Sequence, residues 1–172
     1  MKNGGNRGDE LTFSVGDHVL HPLHGAGTIT SISVRQTGSG AQKYYVLHLA
    51  LDGAVVYVPI SCCKQVGLRP VCSAQEAQCI LCGEIGVLPP QPSDWGVRYR
   101  NNMERMRSGD IRKVAQVVCC LRQRNRRRAL AGSEKRMLEC AERILHSELM
   151  LAAGLSRDEV RQRLEQLWKR LR

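Results

Sequence analysis

The residues of this chain whose types could carry chemistry are its cysteines, histidines and arginines. Cys79-Ile80-Leu81-Cys82 has the spacing of a zinc-ligand or redox pair, with Cys62, Cys63 and Cys72 upstream. A structural zinc site needs four ligands, commonly supplied as two such pairs. Only one pair is present, and it lies inside a helical pattern. Cys119, Cys120 and Cys140 fall in or beside apolar helix stripes and read as small core residues. The five histidines form no H-E-x-x-H pattern; His21 and His24 flank a turn, and a loop position accounts for them. No phosphate-binding loop, nucleophile elbow or paired carboxylate motif occurs. Asp9, Glu10 and Asp17 precede or open the first strand and read as solvent-exposed. The chain therefore reads as a non-enzyme with no cofactor and no metal. A thiol- or zinc-dependent redox sensor built on Cys79 and Cys82 is the alternative.

The arginines carry a stronger signal. Residues 1–94 hold 6 Lys and Arg against 7 Asp and Glu, a net of −1. Residues 95–172 hold 20 against 9, a net of +11, and 17 of those 20 cations are arginine. Such an asymmetry points to two modules with different partners, the basic one facing a polyanion. Arg122 to Arg128 contains five arginines in seven residues. Cations favour helix C-termini, which explains one or two of them. The surplus, with Arg98, Arg100, Arg105, Arg107 and Arg112, can track phosphates. Trp95, one of two tryptophans, follows the proline run Leu88-Pro89-Pro90-Gln91-Pro92 and precedes Arg98 and Arg100. A flat ring flanked by cations suits stacking on bases or wedging into a groove. The competing reading is a core aromatic or a hydrophobic staple at a helix start.

These residues need elements to position them. Residues 1–12 read as a flexible lead-in without a signal or membrane segment, so a cytoplasmic protein is expected. From residue 13 the chain reads as short strands. Thr28–Arg35 alternates, with Ile29, Ser31, Ser33 and Arg35 on one side and Thr28, Thr30, Ile32 and Val34 on the other. Gln36–Ala41 reads as a polar glycine loop, Tyr44–Leu49 as a strand, Asp52-Gly53 as a hairpin turn and Val55–Pro59 as a further strand. Pro59 ends that strand or places it at an edge. A small antiparallel barrel or curled sheet over residues 13–70 is the expectation.

From residue 73 the period changes to helical. Ser73-Ala74-Gln75-Glu76 reads as a capping box, Asp94 or Ser93 as the cap of a helix to about 107, and Asp110 as the next cap. Ser133 is expected to cap a long helix that Gly154 ends, and Ser156-Arg157-Asp158-Glu159 to open the last one. The fold class is thus α+β, with a compact all-helical domain over residues 73–172.

In this order, Val15-Gly16-Asp17-His18-Val19, Pro22, His24-Gly25-Ala26-Gly27, Tyr57-Val58-Pro59 and Val66-Gly67-Leu68-Arg69 resemble the N-terminal part of the CarD/CdnL family of bacterial RNA polymerase-binding transcription regulators. Trp95 with Arg98-Tyr99, Ser108-Gly109-Asp110, Val114-Ala115 and Glu134-Lys135-Arg136-Met137 resemble its C-terminal part. The resemblance implies a Tudor-like domain docking on the RNA polymerase β subunit through Arg35, Tyr57, Val58 and Pro59. It implies a helical domain that meets promoter DNA, largely without sequence specificity, at the upstream edge of the bubble. There Trp95 enters the minor groove, with Arg98, Arg100, Arg126, Arg127, Arg128, Lys135 and Arg136 beside it, and the open complex is stabilised. A monomer is expected. The chain departs from the pattern at Tyr57, where some members carry arginine, and at Val97, where a basic residue is usual. A free-standing RNA-binding module is the remaining alternative.

Overall fold

The computed structural model describes residues 13–38 and 40–171. The lead-in expected over residues 1–12 lies outside them. Strands β1 (His18–His21), β2 (Gly25–Thr37), β3 (Gly40–Leu49), β4 (Val55–Pro59) and β5 (Arg69–Pro70) form one antiparallel sheet in the order β4-β3-β2-β1-β5. A 3₁₀ turn (Ile60–Cys62) and the one-turn helix α1 (Cys63–Val66) join β4 to β5. Five helices follow: α2 (Ala74–Cys82), α3 (Trp95–Arg107), α4 (Ile111–Arg127), α5 (Gly132–Ala153) and α6 (Arg157–Arg170).

The sheet buries its own core of Phe13, Val19, Ile29, Tyr45, Leu47 and Val58, with Ile60, Cys63 and Leu68 added by the connection that follows β4. Simple alternation along β2 places Ile29 and Ile32 on opposite sides. In the structure both meet this core. The register of β2 against β3 shifts between Ile29 and Ser31, so Thr30 is an extra residue and its hydroxyl donates to Val46 O. A bulge of this kind bends a strand and reverses the facing of the residues beyond it. The loop expected over Gln36–Ala41 is also shorter than its composition suggests. Gln36 pairs with Ala41 and Thr37 with Gly40, so the hairpin arm is ladder almost to its tip.

Helix starts follow local chemistry. Ser73, Asp94 and Asp110 accept backbone N–H bonds as side-chain caps, and Ser156 with Glu159 closes a reciprocal box. Glu76 turns away from its cap toward Arg112, 3.6 Å distant. The long helix starts one residue before Ser133, with Ala131 at the cap position and no side-chain cap bond, which corrects the expected role of Ser133. Gly154, at φ 63°, ends it as expected.

Sheet and helices are tied along one seam. Side chains alternate across a strand: Val19 enters the sheet core, while Leu20 and Ala26 join the helical core around Ala115, Leu121, Leu145 and Leu164. Ala26 N–H donates to Ser147 Oγ of α5 at 2.8 Å. A Cβ on Gly25, whose φ is +92°, would lie 2.6 Å from that oxygen, so glycine is required for the approach. Beside it, Arg69 of β5 donates to both carboxylate oxygens of fully buried Glu148, at 2.6 and 2.9 Å. Cys72 N–H donates to the same carboxylate.

Candidate nucleic-acid and protein interfaces

Trp95 is the first residue of α3. Asp94 Oδ1 accepts from Val97 N–H at 2.7 Å and fixes where that helix begins. The indole stacks on Tyr99, with centroids 5.6 Å apart and an interplanar angle of 28°. Even so, 49% of Trp95 is exposed, whereas Trp168 is 3% exposed. The second tryptophan is therefore the core aromatic, and Trp95 projects from a rigid base.

That base is built by Arg98. It is 1% exposed, so the expectation that it reaches phosphates is corrected: its guanidinium points inward. Nε donates to Glu134 Oε1 at 2.6 Å, and Nη1 donates to the carbonyls of Pro92 and Ser93. A planar five-donor fork can hold a carboxylate and two carbonyls together, which an ammonium does less well. Arg98 thus pins the proline run and the start of α3 to the start of α5. Arg124, near the end of α4, lies 3.8 Å from the same Glu134 oxygen. The three helix ends that carry Trp95, Arg126–Arg128 and Lys135–Arg136 therefore converge on one buried carboxylate.

The remaining cations separate by partner. Arg105 donates to Gln116, Arg112 to the carbonyl of Glu84, and Arg122 to Glu142. Arg100, Arg126, Arg127, Arg128, Lys135 and Arg136 are exposed. Among the described residues none of these six pairs with a carboxylate; Arg126 alone bonds protein, the carbonyl of Trp168 at 3.4 Å. Lys135 stands in the first turn of α5, where the helix dipole disfavours a cation, and Arg136 follows it. Both supply unpaired charge at the helix end that Glu134 ties to the start of α3.

The second surface is on the sheet. Among the described residues β4 pairs only with β3, so its outer side is a free edge. Arg35 reaches across β3, with its guanidinium carbon 3.8 Å from the Tyr57 ring centroid and 5.9 Å from that of Tyr44. Tyr57 is 43% exposed. Pro59, half-buried, closes the edge without an N–H. Val58 is 2% exposed, and its side chain belongs to the sheet core. Its backbone faces Tyr45 of β3 in a hydrogen-bonded pair and so points away from the free edge, which corrects its place among the contacting residues.

Cys79 and Cys82 lie on α2, and among the described residues no group of three His, Cys, Asp or Glu side chains could hold a metal. The Cys79 thiol is pushed up, first by its hydrogen bond with Glu84, which disfavours the thiolate that metal binding and redox exchange require. Cys119 and Cys120 are buried within α4, and burial pushes both thiols up.

A Tudor-like sheet followed by a helical region is the domain order of a class of transcription regulators whose two family models both match this chain. Residues 13–72 match the CarD-like/TRCF RID domain and residues 75–165 the CarD C-terminal domain. The chain is 31% identical over 153 residues to a Bacillus subtilis (strain 168) protein named "Putative transcription factor YdeB", covering 87% of this chain and 97% of that one. The chain belongs to the CarD family, a family of transcription factors. Among the described residues no helix is long and apolar enough to cross a membrane.

Proposed function

We propose that this protein docks on the RNA polymerase β subunit through the β4 edge and the Arg35–Tyr57 patch, and holds Trp95 against promoter DNA at the upstream edge of the bubble. In this reading residues 13–70 face protein and residues 73–172 face DNA. The protein acts as a monomer, without catalysis, wherever polymerase meets the nucleoid. The observation that carries the reading is the convergence on Glu134 of the helix ends that carry an exposed indole and the unpaired cations. Cations neutralise phosphates whatever the sequence, and an apolar wedge distorts a base step at a cost of a few kcal/mol. That cost is lowest where the duplex is already opening. Tethering to polymerase turns weak DNA contacts into intramolecular ones at high effective concentration. An edge strand offers unpaired backbone groups to a partner strand, and the Arg35–Tyr57 pair adds a charged aromatic anchor. The test is capture of RNA polymerase by the tagged full-length protein, parent against Arg35→Glu. The parent is expected to retain the β subunit and the variant to lose it. Equal capture would place the contact elsewhere.

A further inference from the structure

Between sheet and helices lies a cleft of about 620 Å³, within the range of about 300–1,000 Å³ typical of small-molecule sites. Tyr99, Met103 and Met106 of α3, with Met137 and Cys140 of α5, supply one wall. Pro22, Leu23 and Val66 supply the other, and Leu23 is 66% exposed there. Methionine is unbranched and polarizable, so such a wall adapts to a flexible apolar chain. The charged lining is of one sign: Arg69, Arg107 and Arg136 line the cleft, beside the neutral Gln65 and Ser133, and no carboxylate does. Arg69 is committed to Glu148. Arg107 and Arg136 are exposed and, among the described residues, make no ion pair.

We propose that this cleft binds an amphiphile with an unbranched apolar body and a single carboxylate headgroup. The body lies on Met103, Met106 and Met137, and the carboxylate accepts from Arg107 and Arg136 in charge-assisted hydrogen bonds. Arg136 borders both this cleft and the cationic surface proposed for DNA; inside the cleft nucleic acid fits less well, since a phosphate backbone would engage the arginines and leave the methionines in water. Tyr99 both lines the cleft and backs Trp95, so occupancy is felt at the indole. That last consequence rests on the function proposed above; the binding itself does not.

The experiment follows the methionine methyl resonances of the full-length protein as decanoate is added below its micelle concentration. Parallel titrations use decanol, inorganic phosphate and a short DNA duplex. Decanoate is expected to shift the Met103, Met106 and Met137 methyls saturably with one site per chain. The doubly substituted Arg107→Gln, Arg136→Gln protein is expected to bind decanoate at least about tenfold more weakly and decanol equally well. The proposal is overturned if decanoate gives no saturable shift, if decanol binds the parent as tightly as decanoate, or if the double variant keeps parental affinity for decanoate. It is also overturned if inorganic phosphate or the duplex moves these methyls as strongly as decanoate does. The parent titrations decide the matter alone should the variant not fold. No readout involves polymerase, so failure here leaves the transcriptional reading standing.

Discussion

Two exposed aromatic residues mark the two surfaces of this protein, and their surroundings differ. Tyr57 carries a guanidinium over its ring, so the sheet presents a charged, capped aromatic. Trp95 is backed by a second ring, and the nearby arginine, Arg98, is buried beneath it. The first arrangement suits a folded partner that can match one cation and an edge strand. The second suits a deformable polyanion, because the ring stays apolar and the charge comes from exposed Arg100 of the same helix and from Arg126–Arg128, Lys135 and Arg136 at the helix ends that meet at Glu134. An arginine near an aromatic is therefore not one kind of site. Where the guanidinium lies decides whether it is a contact or a foundation.

The largest effect should come from breaking that foundation. Arg98→Ala leaves Glu134 buried with only Arg124 at 3.8 Å, and such losses typically cost about 3–5 kcal/mol. Arg127→Ala, at an exposed site, should change stability by no more than about 0.5 kcal/mol. Urea unfolding of the two variants measures the contrast, and equal stabilities would erase it.

On the sheet, Arg35→Glu should weaken polymerase capture by at least about tenfold, or about 1.4 kcal/mol, with an unchanged melting temperature. For the helical surface, replacing Arg126, Arg127 and Arg128 by Gln should lower the slope of log affinity for DNA against log salt by about 0.9 for each phosphate that is no longer neutralised. Binding should weaken to the same degree across unrelated sequences. A variant with reduced affinity for one sequence alone would mean base readout.

A pH-dependent effect concerns the seam between the two regions. His21 Nδ1 accepts from the N–H groups of Leu23 and His24. Burial, aided by neighbouring His24, holds its pKa down to about 4, against about 6.5 in an unfolded chain. Between those values the unfolded chain binds the proton and the folded one does not. Stability contributed by His21 is therefore complete above about pH 6.5 and lost as pH falls toward about 4. His21→Gln keeps an acceptor that does not titrate in this range, so its melting temperature should decline less steeply than the parent's across that interval.

How far the sequence carries depends on the range of the interaction. The caps at Ser73, Asp94, Asp110 and Ser156 are legible because each bonds a backbone group within three residues. The extra residue at Thr30 is not, since the partner strand sets it: β3 pairs Ile29 with Leu47 and Ser31 with Val46. The role of Arg98 is hidden for the same reason, because Glu134 lies 36 residues away. One trace was available. Arg98 and Asn102 stand four apart on the buried side of α3, where helical periodicity places core residues and an arginine must bring a partner inside with it. The charge division between residues 1–94 and 95–172 was plain from composition, but composition does not separate committed arginines from free ones.

Everything proposed for the helical region turns on Trp95 acting on DNA from outside the core. Its most direct test is the lifetime of promoter open complexes with the parent and with Trp95→Ala, alongside the melting temperature of each protein. The expected result is a loss of stability below about 1 kcal/mol, as for an exposed substitution, and open complexes that decay as fast as with no protein added. A variant that prolongs open complexes as well as the parent would contradict this role, as would a drop in stability of the size expected for a buried tryptophan, about 3–5 kcal/mol.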